Sequence, residues 1–174
     1  MKAQKTDQIL AEQLLELALR VGREAAALLS DRPAALEVET KSTAIDVVTQ
    51  MDIKVEAFIV EQLLAARPDD GLIGEEGAAR DSSSGITWVI DPLDGTVNYF
   101  YGLPGWNVSI AAKDSNGVIV GVVTAPSINS TWWATRGGGA FYNSHPIRCN
   151  EPIELDRALI ATGFQYDVAH RVTQ

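Results

Sequence analysis

Two aspartates, Asp91 and Asp94, interrupt one of the most apolar stretches of the chain, WVIDPLDGTVNYF at residues 88–100. Each precedes a turn-forming residue, in the dipeptides Asp-Pro and Asp-Gly. Both dipeptides are common in turns, where the aspartate side chain accepts hydrogen bonds from nearby backbone. The simpler interpretation is a turn at the end of a buried strand, with no chemical role for either carboxylate.

The same motif also has the composition of a site for a hard metal ion. Pro92 lacks an N–H and has a fixed φ, so it directs the backbone out of the strand ladder in a defined direction. Asp91, Asp94 and the Leu93 carbonyl can then face one side. A set of oxygen ligands with no neighbouring His or Cys suits Mg²⁺ rather than Zn²⁺ or copper.

A second acidic pair, Glu75 and Glu76, follows another short apolar run that ends in Gly74. Taken alone, this pair is typical of a solvated loop. Together with Asp91 and Asp94 it predicts two strand ends that deliver three carboxylates to one point. Like charges that close repel and raise one another's pKa unless cations lie between them. The grouping therefore favours a metal site.

Asp52 and Thr96 have structural interpretations that stay open beside functional ones. Thr49-x-x-Asp52 resembles a capping box, with Asp in place of the usual Glu, at the start of a helix. The negative charge also suits that helix end. Thr96 by default satisfies the backbone of the turn, and Asp52 can cap a helix and serve a site at the same time.

The hydrophobic pattern predicts two long helices in the N-terminal part. Apolar residues recur every three or four positions from about Thr6 to Ser30, with Thr6 as the candidate N-cap. A second apolar stripe predicts a helix from about Asp52 to Ala66, shortly before Pro68. Both helices are amphipathic, so each is expected to bury one face.

The sequence pattern in the rest of the chain is typical of an antiparallel sheet. Short apolar runs alternate with tight-turn sequences, including DSNG at 114–117 and RGGG at 136–139. We predict an α+β fold in which the two helices pack on one face of a mostly antiparallel sheet. The predicted strands are Glu37–Thr40, Leu72–Ile73, Ile86–Ile90, Val108–Ala112, Val118–Thr124, Thr131–Thr135, Gly139–Tyr142 and Ala158–Thr162.

Charge and composition limit the classes of partner. The 174 residues carry 14 basic and 23 acidic side chains, and this excess of acid argues against nucleic-acid binding, which needs clustered Lys and Arg. A small phosphorylated ligand stays compatible, since a cation can bridge phosphate to carboxylates. The longest strongly apolar run, Val118–Ala125, is too short to cross a membrane. The single cysteine, Cys149, and the lack of an apolar leader predict a cytoplasmic protein.

In four segments the sequence is similar to the signature of the inositol monophosphatases. The resemblance extends over nearly the whole chain from the first helix onward. The combined motif is highly specific, whereas Gly-Glu-Glu alone is not. The matching segments are GEE at 74–76, WVIDPLDGTVN at 88–98, KSxxxDxVTxxD at 41–52 and GxGAxxN at 137–143.

The resemblance implies a Mg²⁺-dependent, Li⁺-sensitive phosphomonoesterase with alternating helix and sheet layers, usually a homodimer. By matching position, Glu75, Asp91 and the Leu93 carbonyl are expected to hold a first Mg²⁺. Asp91 and Asp94 are expected to hold a second, with Asp91 bridging. Glu75 is expected to help place a third through water.

The matching positions also imply catalytic and substrate-binding roles. Thr96, paired with Asp52, is expected to orient and activate the attacking water, with Glu75 as a further catalytic residue. Asp94 and the backbone of Gly95 and Thr96 are expected to contact the phosphorylated substrate. No covalent phosphoenzyme is implied, which agrees with the lack of an evident nucleophile beside a base.

Length separates this chain from the family pattern. The family continues with a second α/β portion whose Trp-Asp motif completes the second metal site, and this chain contains no Trp-Asp pair. Residues 1–174 are therefore expected to be the N-terminal α+β portion of a layered α/β/α/β/α enzyme, weakly active or inactive alone. The expected substrate of the complete enzyme is inositol 1-phosphate. Histidinol phosphate, fructose 1,6-bisphosphate and 3′-phosphoadenosine compounds are alternatives, as is a non-catalytic metal-binding fragment.

Overall fold

The computed structural model describes residues 2–40 and 47–161. Lys41, Ser42 and Asp46 of the family motif lie outside these residues, as does Thr162 at the end of the last predicted strand. In chain order the elements are α1 (Lys2–Ser30), β1 (Val38–Thr40), β2 (Val47–Thr49), α2 (Gln50–Ala66), β3 (Gly71–Gly74), β4 (Ala79–Arg80), β5 (Thr87–Asp94), α3 (Thr96–Phe100), β6 (Asn107–Asp114), β7 (Gly117–Ala125), β8 (Ser130–Thr135), β9 (Gly139–Tyr142) and β10 (His145–Ile147), with 3₁₀ turns at Pro126–Ile128 and Leu155–Arg157.

The strands of the described residues form a small sheet and a large one. β1 and β2 make an antiparallel pair that leads into α2. The other strands form an eight-stranded sheet in the order β10-β9-β8-β7-β6-β5-β3-β4. Every neighbouring pair in this sheet is antiparallel except β3 and β5, which run parallel. The prediction of a mostly antiparallel sheet is confirmed.

Helices α1 and α2 pack together against the large sheet. α1 lies on β6 and β7, and α2 lies on β5. The pleat places alternate residues of β5 in the core, so Trp88 and Ile90 are buried while Val89 between them is only partly covered. The predicted α+β arrangement of two helices on the sheet is thus confirmed. Within the described part of the chain, none of the helices combines the length and apolar character needed to span a bilayer.

The starts of both helices differ from the predicted positions. α1 begins at Lys2, so Thr6 lies inside the helix and is not its N-cap. The residues around Lys2 are good helix formers, which lets the helix extend towards the N-terminus. α2 begins at Gln50, and its capping box is confirmed: Thr49 is the N-cap and Asp52 is the third helical residue.

β5 continues through the acidic motif instead of ending at Ile90. The strand reaches Asp94, and its register against β6 shifts between Asp91 and Asp94. Pro92, which cannot donate to a strand ladder, lies inside this irregularity. The motif is therefore a bulge within an interior strand, followed by the short helix α3, and not a turn that leaves the sheet.

The last predicted strand is wrong over the residues that the structure describes. Residues 158–161 are not in a strand, and a 3₁₀ turn at Leu155–Arg157 precedes them. Leu159 and Ile160 are exposed, so this apolar run has not been buried by a neighbouring strand. One edge strand of the large sheet is β10, whose three residues are all exposed and which the apolar pattern does not predict.

Candidate active site

Glu75 and Asp91 come together because β3 and β5 are parallel neighbours. Gly74 of β3 lies opposite Ile90 of β5, and the Glu75 N–H donates to the Ile90 carbonyl at 3.2 Å. The next residue of each strand therefore lies beside the other at the strand ends. The carboxyl groups of Glu75 and Asp91 are hydrogen-bonded to each other. Two of the acidic residues singled out in the sequence thus meet.

The environment of Asp91 strongly disfavours its charged form. Partial burial, followed by the carboxylates of Glu75 and Asp94, raises the pKa of Asp91 from 3.8 to about 8. The Leu93 N–H, which donates to Asp91 Oδ1 at 3.2 Å, acts in the opposite direction. A bound cation would offset the repulsion between carboxylates that lie this close together.

Asp94 lies beside this pair but has a different partner. It is exposed at the end of β5, and its Oδ2 accepts from Asn107 Nδ2 at 2.8 Å. In the described parts of the chain, no group of three or more His, Cys, Asp or Glu side chains is arranged to hold a metal ion. Asp94 therefore acts on Asp91 through its charge, and the three carboxylates do not close into the single set of ligands that the sequence predicts.

Asp52 both caps α2 and binds Thr96. Its Oδ2 accepts from the Thr49 N–H at 2.8 Å and from the Thr49 hydroxyl at 2.6 Å. Its Oδ1 accepts from the Thr96 hydroxyl at 2.9 Å. Asp52 is 1% exposed, so these three hydrogen bonds replace the solvation that its carboxylate loses on burial. The cap and the contact with Thr96 coexist in one side chain.

Thr96 is held between two acceptors at the start of α3. Its Oγ1 is 2.9 Å from the Leu93 carbonyl oxygen as well as from Asp52, and its one proton serves one acceptor at a time. The preceding residue must be glycine, because Gly95 has a φ of 85° and a Cβ there would lie 2.6 Å from the Gly105 carbonyl oxygen. This geometry fixes the Thr96 hydroxyl while leaving its lone pairs able to accept a hydrogen bond.

The sequence does not predict two further residues of the site, Glu56 and Asn107. Both carboxylate oxygens of Glu56 accept from the backbone of the loop that carries Glu75. Its signal in the sequence is an acidic residue on the apolar stripe of α2, one turn after Asp52. Asn107 has no comparable signal, because its contact with Asp94 depends on the pairing of β5 with β6.

The oxygen donors at these strand ends are of the type that a hard divalent cation binds. The Glu75 and Asp91 carboxyl groups lie together, Asp94 acts on Asp91 through its charge, and the Leu93 carbonyl keeps a lone pair when Thr96 donates to it. Oxygen donors alone suit Mg²⁺. A cation between Glu75 and Asp91 would also remove the repulsion that raises the pKa of Asp91.

Comparison with known proteins decides the family. The model of the inositol monophosphatase family matches residues 8–174. The chain belongs to the inositol monophosphatase family. It is 40% identical over 129 residues to the inositol-1-monophosphatase of Rhizobium meliloti, an alignment that covers 74% of this chain and 48% of that protein. It is 37% identical over 130 residues to the fructose-1,6-bisphosphatase/inositol-1-monophosphatase of Thermotoga maritima, with 75% of this chain and 50% of that protein covered.

Solved structures of inositol monophosphatases share the fold. The chain superposes on the Thermotoga maritima IMPase with a TM-score of 0.75 and 34% sequence identity, covering 80% of this chain and 54% of that one. The chain thus spans about half the length of the curated relatives that it matches. The resemblance read from the four sequence segments is confirmed as membership of this family.

Proposed function

We propose that the complete protein hydrolyses a small phosphate monoester, inositol 1-phosphate, in a reaction that depends on Mg²⁺. The observation that carries this proposal is the contact between the Glu75 and Asp91 carboxyl groups, with Asp94 beside them. An oxygen-rich cluster of this kind suits a divalent cation, and a cation is what attracts a phosphate to an acidic site. The inositol-1-monophosphatase name of the Rhizobium meliloti relative supports the substrate.

The proposed ligands of the metal are the Glu75, Asp91 and Asp94 carboxylates and the Leu93 carbonyl. Bound Mg²⁺ supplies positive charge that neutralises the phosphate and makes a neighbouring water more acidic. Asn107 holds Asp94 through the hydrogen bond to its Oδ2, so one carboxylate oxygen stays oriented while the other is available to the site. Asp94 is also proposed to contact the substrate.

Thr96 and Asp52 are proposed to position the attacking water. The Thr96 hydroxyl donates to Asp52 Oδ1, so its lone pairs can accept a hydrogen bond from water and orient that water towards phosphorus. Asp52 is held in turn by Thr49, which keeps its carboxylate in a single position. The backbone at Gly95 and Thr96 is proposed to contact phosphate oxygens.

Fructose 1,6-bisphosphate is a second candidate substrate. The Thermotoga maritima relative carries both fructose-1,6-bisphosphatase and inositol-1-monophosphatase in its name. Both substrates present a phosphate monoester on a polyhydroxylated ring, so the site of Glu75, Asp91 and Thr96 serves either. Histidinol phosphate and 3′-phosphoadenosine compounds belong in the same substrate panel.

A substrate panel with Mg²⁺ tests the proposed function in the full-length protein. We expect the highest kcat/KM for inositol 1-phosphate, and a loss of at least about tenfold in Asp94→Asn, because charge at the phosphate is then less well neutralised. Undiminished activity in the variant would refute the assignment of the site. A higher kcat/KM for fructose 1,6-bisphosphate would favour the second candidate. Inhibition by Li⁺ and sedimentation as a homodimer are further properties that we propose from the family.

We also propose that residues 1–174 are the N-terminal portion of the enzyme and have little activity alone. The supporting observation is that the described residues do not close a set of three carboxylates around one point. The 174-residue chain is expected to show weak Mg²⁺ binding by isothermal titration and little or no hydrolysis in the same assay. Robust turnover by this chain alone would contradict the proposal and show that the site needs no further ligand.

A further inference from the structure

Glu56 is a buried acid on α2 whose two oxygens both bind a loop of another element. The residue is 5% exposed. Its Oε2 accepts from the Glu76 N–H at 2.8 Å, and its Oε1 accepts from the Ala78 N–H at 2.9 Å. The two donors lie between β3 and β4, 20 and 22 residues further along the chain. Hydrogen bonds from backbone N–H groups to a carboxylate are among the stronger ones in proteins.

The loop bound by Glu56 is the one that carries Glu75. The Gly74 N–H donates to the Ala78 carbonyl at 2.7 Å, which closes the loop on itself. The Glu75 N–H donates to the Ile90 carbonyl of β5 at 3.2 Å. Glu75 is therefore fixed to β5 by its own amide and to α2 through the residue that follows it. The loop has little freedom to move Glu75 away from the neighbouring strand.

Gly74 leaves the space that this carboxylate occupies. A Cβ at Gly74 would lie 2.3 Å from Glu56 Oε2 and 2.6 Å from the Glu56 carboxyl carbon. Real Cβ atoms do not approach other atoms so closely, so any side chain at this position would displace the carboxylate from the loop. The Glu56 carboxylate thus packs directly against the last residue of β3, where the strand delivers Glu75.

We propose that Glu56 is a positioning residue that keeps Glu75 against Asp91 and so sets the affinity of that carboxyl pair for a divalent cation. Glu56 itself touches the loop backbone and not the cation. The inference rests on the proposed metal-dependent function, which it deepens. Metal ligands need precise placement, and residues that hold a ligand typically change metal affinity or activity by about 10–100-fold when they are replaced.

A purely structural role for Glu56 predicts different behaviour. If the carboxylate only satisfied two loop N–H groups, its loss would lower stability, since these donors would be left without a strong acceptor. The folded protein would still bind a cation with its usual affinity. Metal affinity measured well below the unfolding temperature therefore separates a positioning role from a structural one.

The decisive variant is Glu56→Gln in the full-length protein. Gln has nearly the same shape, but its NH₂ group faces one of the two loop N–H donors, so one hydrogen bond becomes a contact between donors. The Mg²⁺ dissociation constant, measured by isothermal titration, is expected to rise about 10–100-fold. The Mg²⁺ concentration for half-maximal activity rises with it. Glu61→Gln, an exposed change of the same charge on the same helix, is the matched control and leaves both values unchanged.

Two other variants keep the test decisive where Glu56→Gln does not fold. Glu56→Asp keeps the charge but is one methylene shorter, so it cannot reach both N–H groups. Gly74→Ala leaves Glu56 intact but pushes its carboxylate from the loop. Both are expected to weaken Mg²⁺ binding in protein whose circular dichroism matches that of the wild type.

The outcomes separate this inference from the proposed function. Wild-type affinity for Mg²⁺ in these variants, with only a lower unfolding temperature, would overturn the positioning role and leave the proposed function standing. A wild-type protein that binds Mg²⁺ but hydrolyses no phosphate monoester would refute the function. The positioning role of Glu56 would then be tested only by comparing the Mg²⁺ dissociation constants of the wild type and the variants. A wild-type protein that binds no Mg²⁺ would overturn both.

Discussion

Replacing Asp91 with Asn is expected to lower kcat/KM for the phosphate monoester by about 10²–10³-fold, the range for loss of one group that stabilises charge in a transition state. Asp91 is the carboxyl group that both Glu75 and Asp94 act on, so it lies at the centre of the proposed ligand set. Asn keeps an oxygen to accept from the Leu93 N–H but has no charge. Steady-state kinetics at several Mg²⁺ concentrations measure the loss.

The stability of the same variant is expected to move in the opposite direction. Without added metal and above about pH 8, where Asp91 with its raised pKa becomes charged, the neutral amide of Asp91→Asn relieves the repulsion between neighbouring carboxylates, so the unfolding temperature should rise by about 2–4 °C for each kcal/mol relieved. Asp81→Asn is the matched control, because Asp81 is exposed in a loop away from the site. A parallel fall of activity and unfolding temperature in Asp91→Asn would indicate a structural residue and contradict the metal role.

Replacing Thr96 with Val is expected to lower kcat by about 10²–10⁴-fold, the usual contribution of a group that handles a proton of the reacting water. Val has the shape of Thr but no hydroxyl, so the contact with Asp52 Oδ1 at 2.9 Å is lost. The backbone that is proposed to bind phosphate is unchanged. KM is therefore expected to change little, and the loss is expected in kcat, measured at saturating substrate and Mg²⁺.

Thr87→Val provides the control for this variant, since Thr87 lies at the other end of the same strand β5. It is expected to retain full activity. Thr96→Ser, which restores the hydroxyl without the methyl group, is expected to recover most of kcat. Equal losses in Thr96→Ser and Thr96→Val would show that packing of the methyl group, and not the hydroxyl, matters at this position.

The features that the sequence predicts well depend on residues close together along the chain. The capping box of Thr49 and Asp52 is a contact across three positions, and it is present. The DSNG segment joins β6 and β7 as a tight hairpin because its turn residues act within a few positions of one another. The apolar period of α1 and α2 predicts two helices for the same local reason, although it does not locate the first residue of α1.

The predicted boundaries fail where a neighbouring strand decides the outcome. β5 continues past Pro92 because β6 pairs with it again at Asp94 after the bulge, which no local rule for an Asp-Pro dipeptide anticipates. The run that contains Leu159 and Ile160 has strand-like composition, yet both residues stay exposed outside any strand. Strand propensity describes fit to a half-buried surface, so it predicts poorly where that surface is missing.

By itself the sequence determined the family and the fold class, and it predicted the residue types of the candidate site, because motif spacing and hydrophobic period depend on residues close together along the chain. Only the tertiary structure decided which groups touch. The parallel pairing of β3 and β5 brings Glu75 to Asp91, and the contact of Thr96 with Asp52 spans 44 positions. The two hydrogen bonds that Glu56 accepts from its loop span 20 and 22 positions. Such contacts depend on how strands and helices pack, and packing is a property of the whole folded chain.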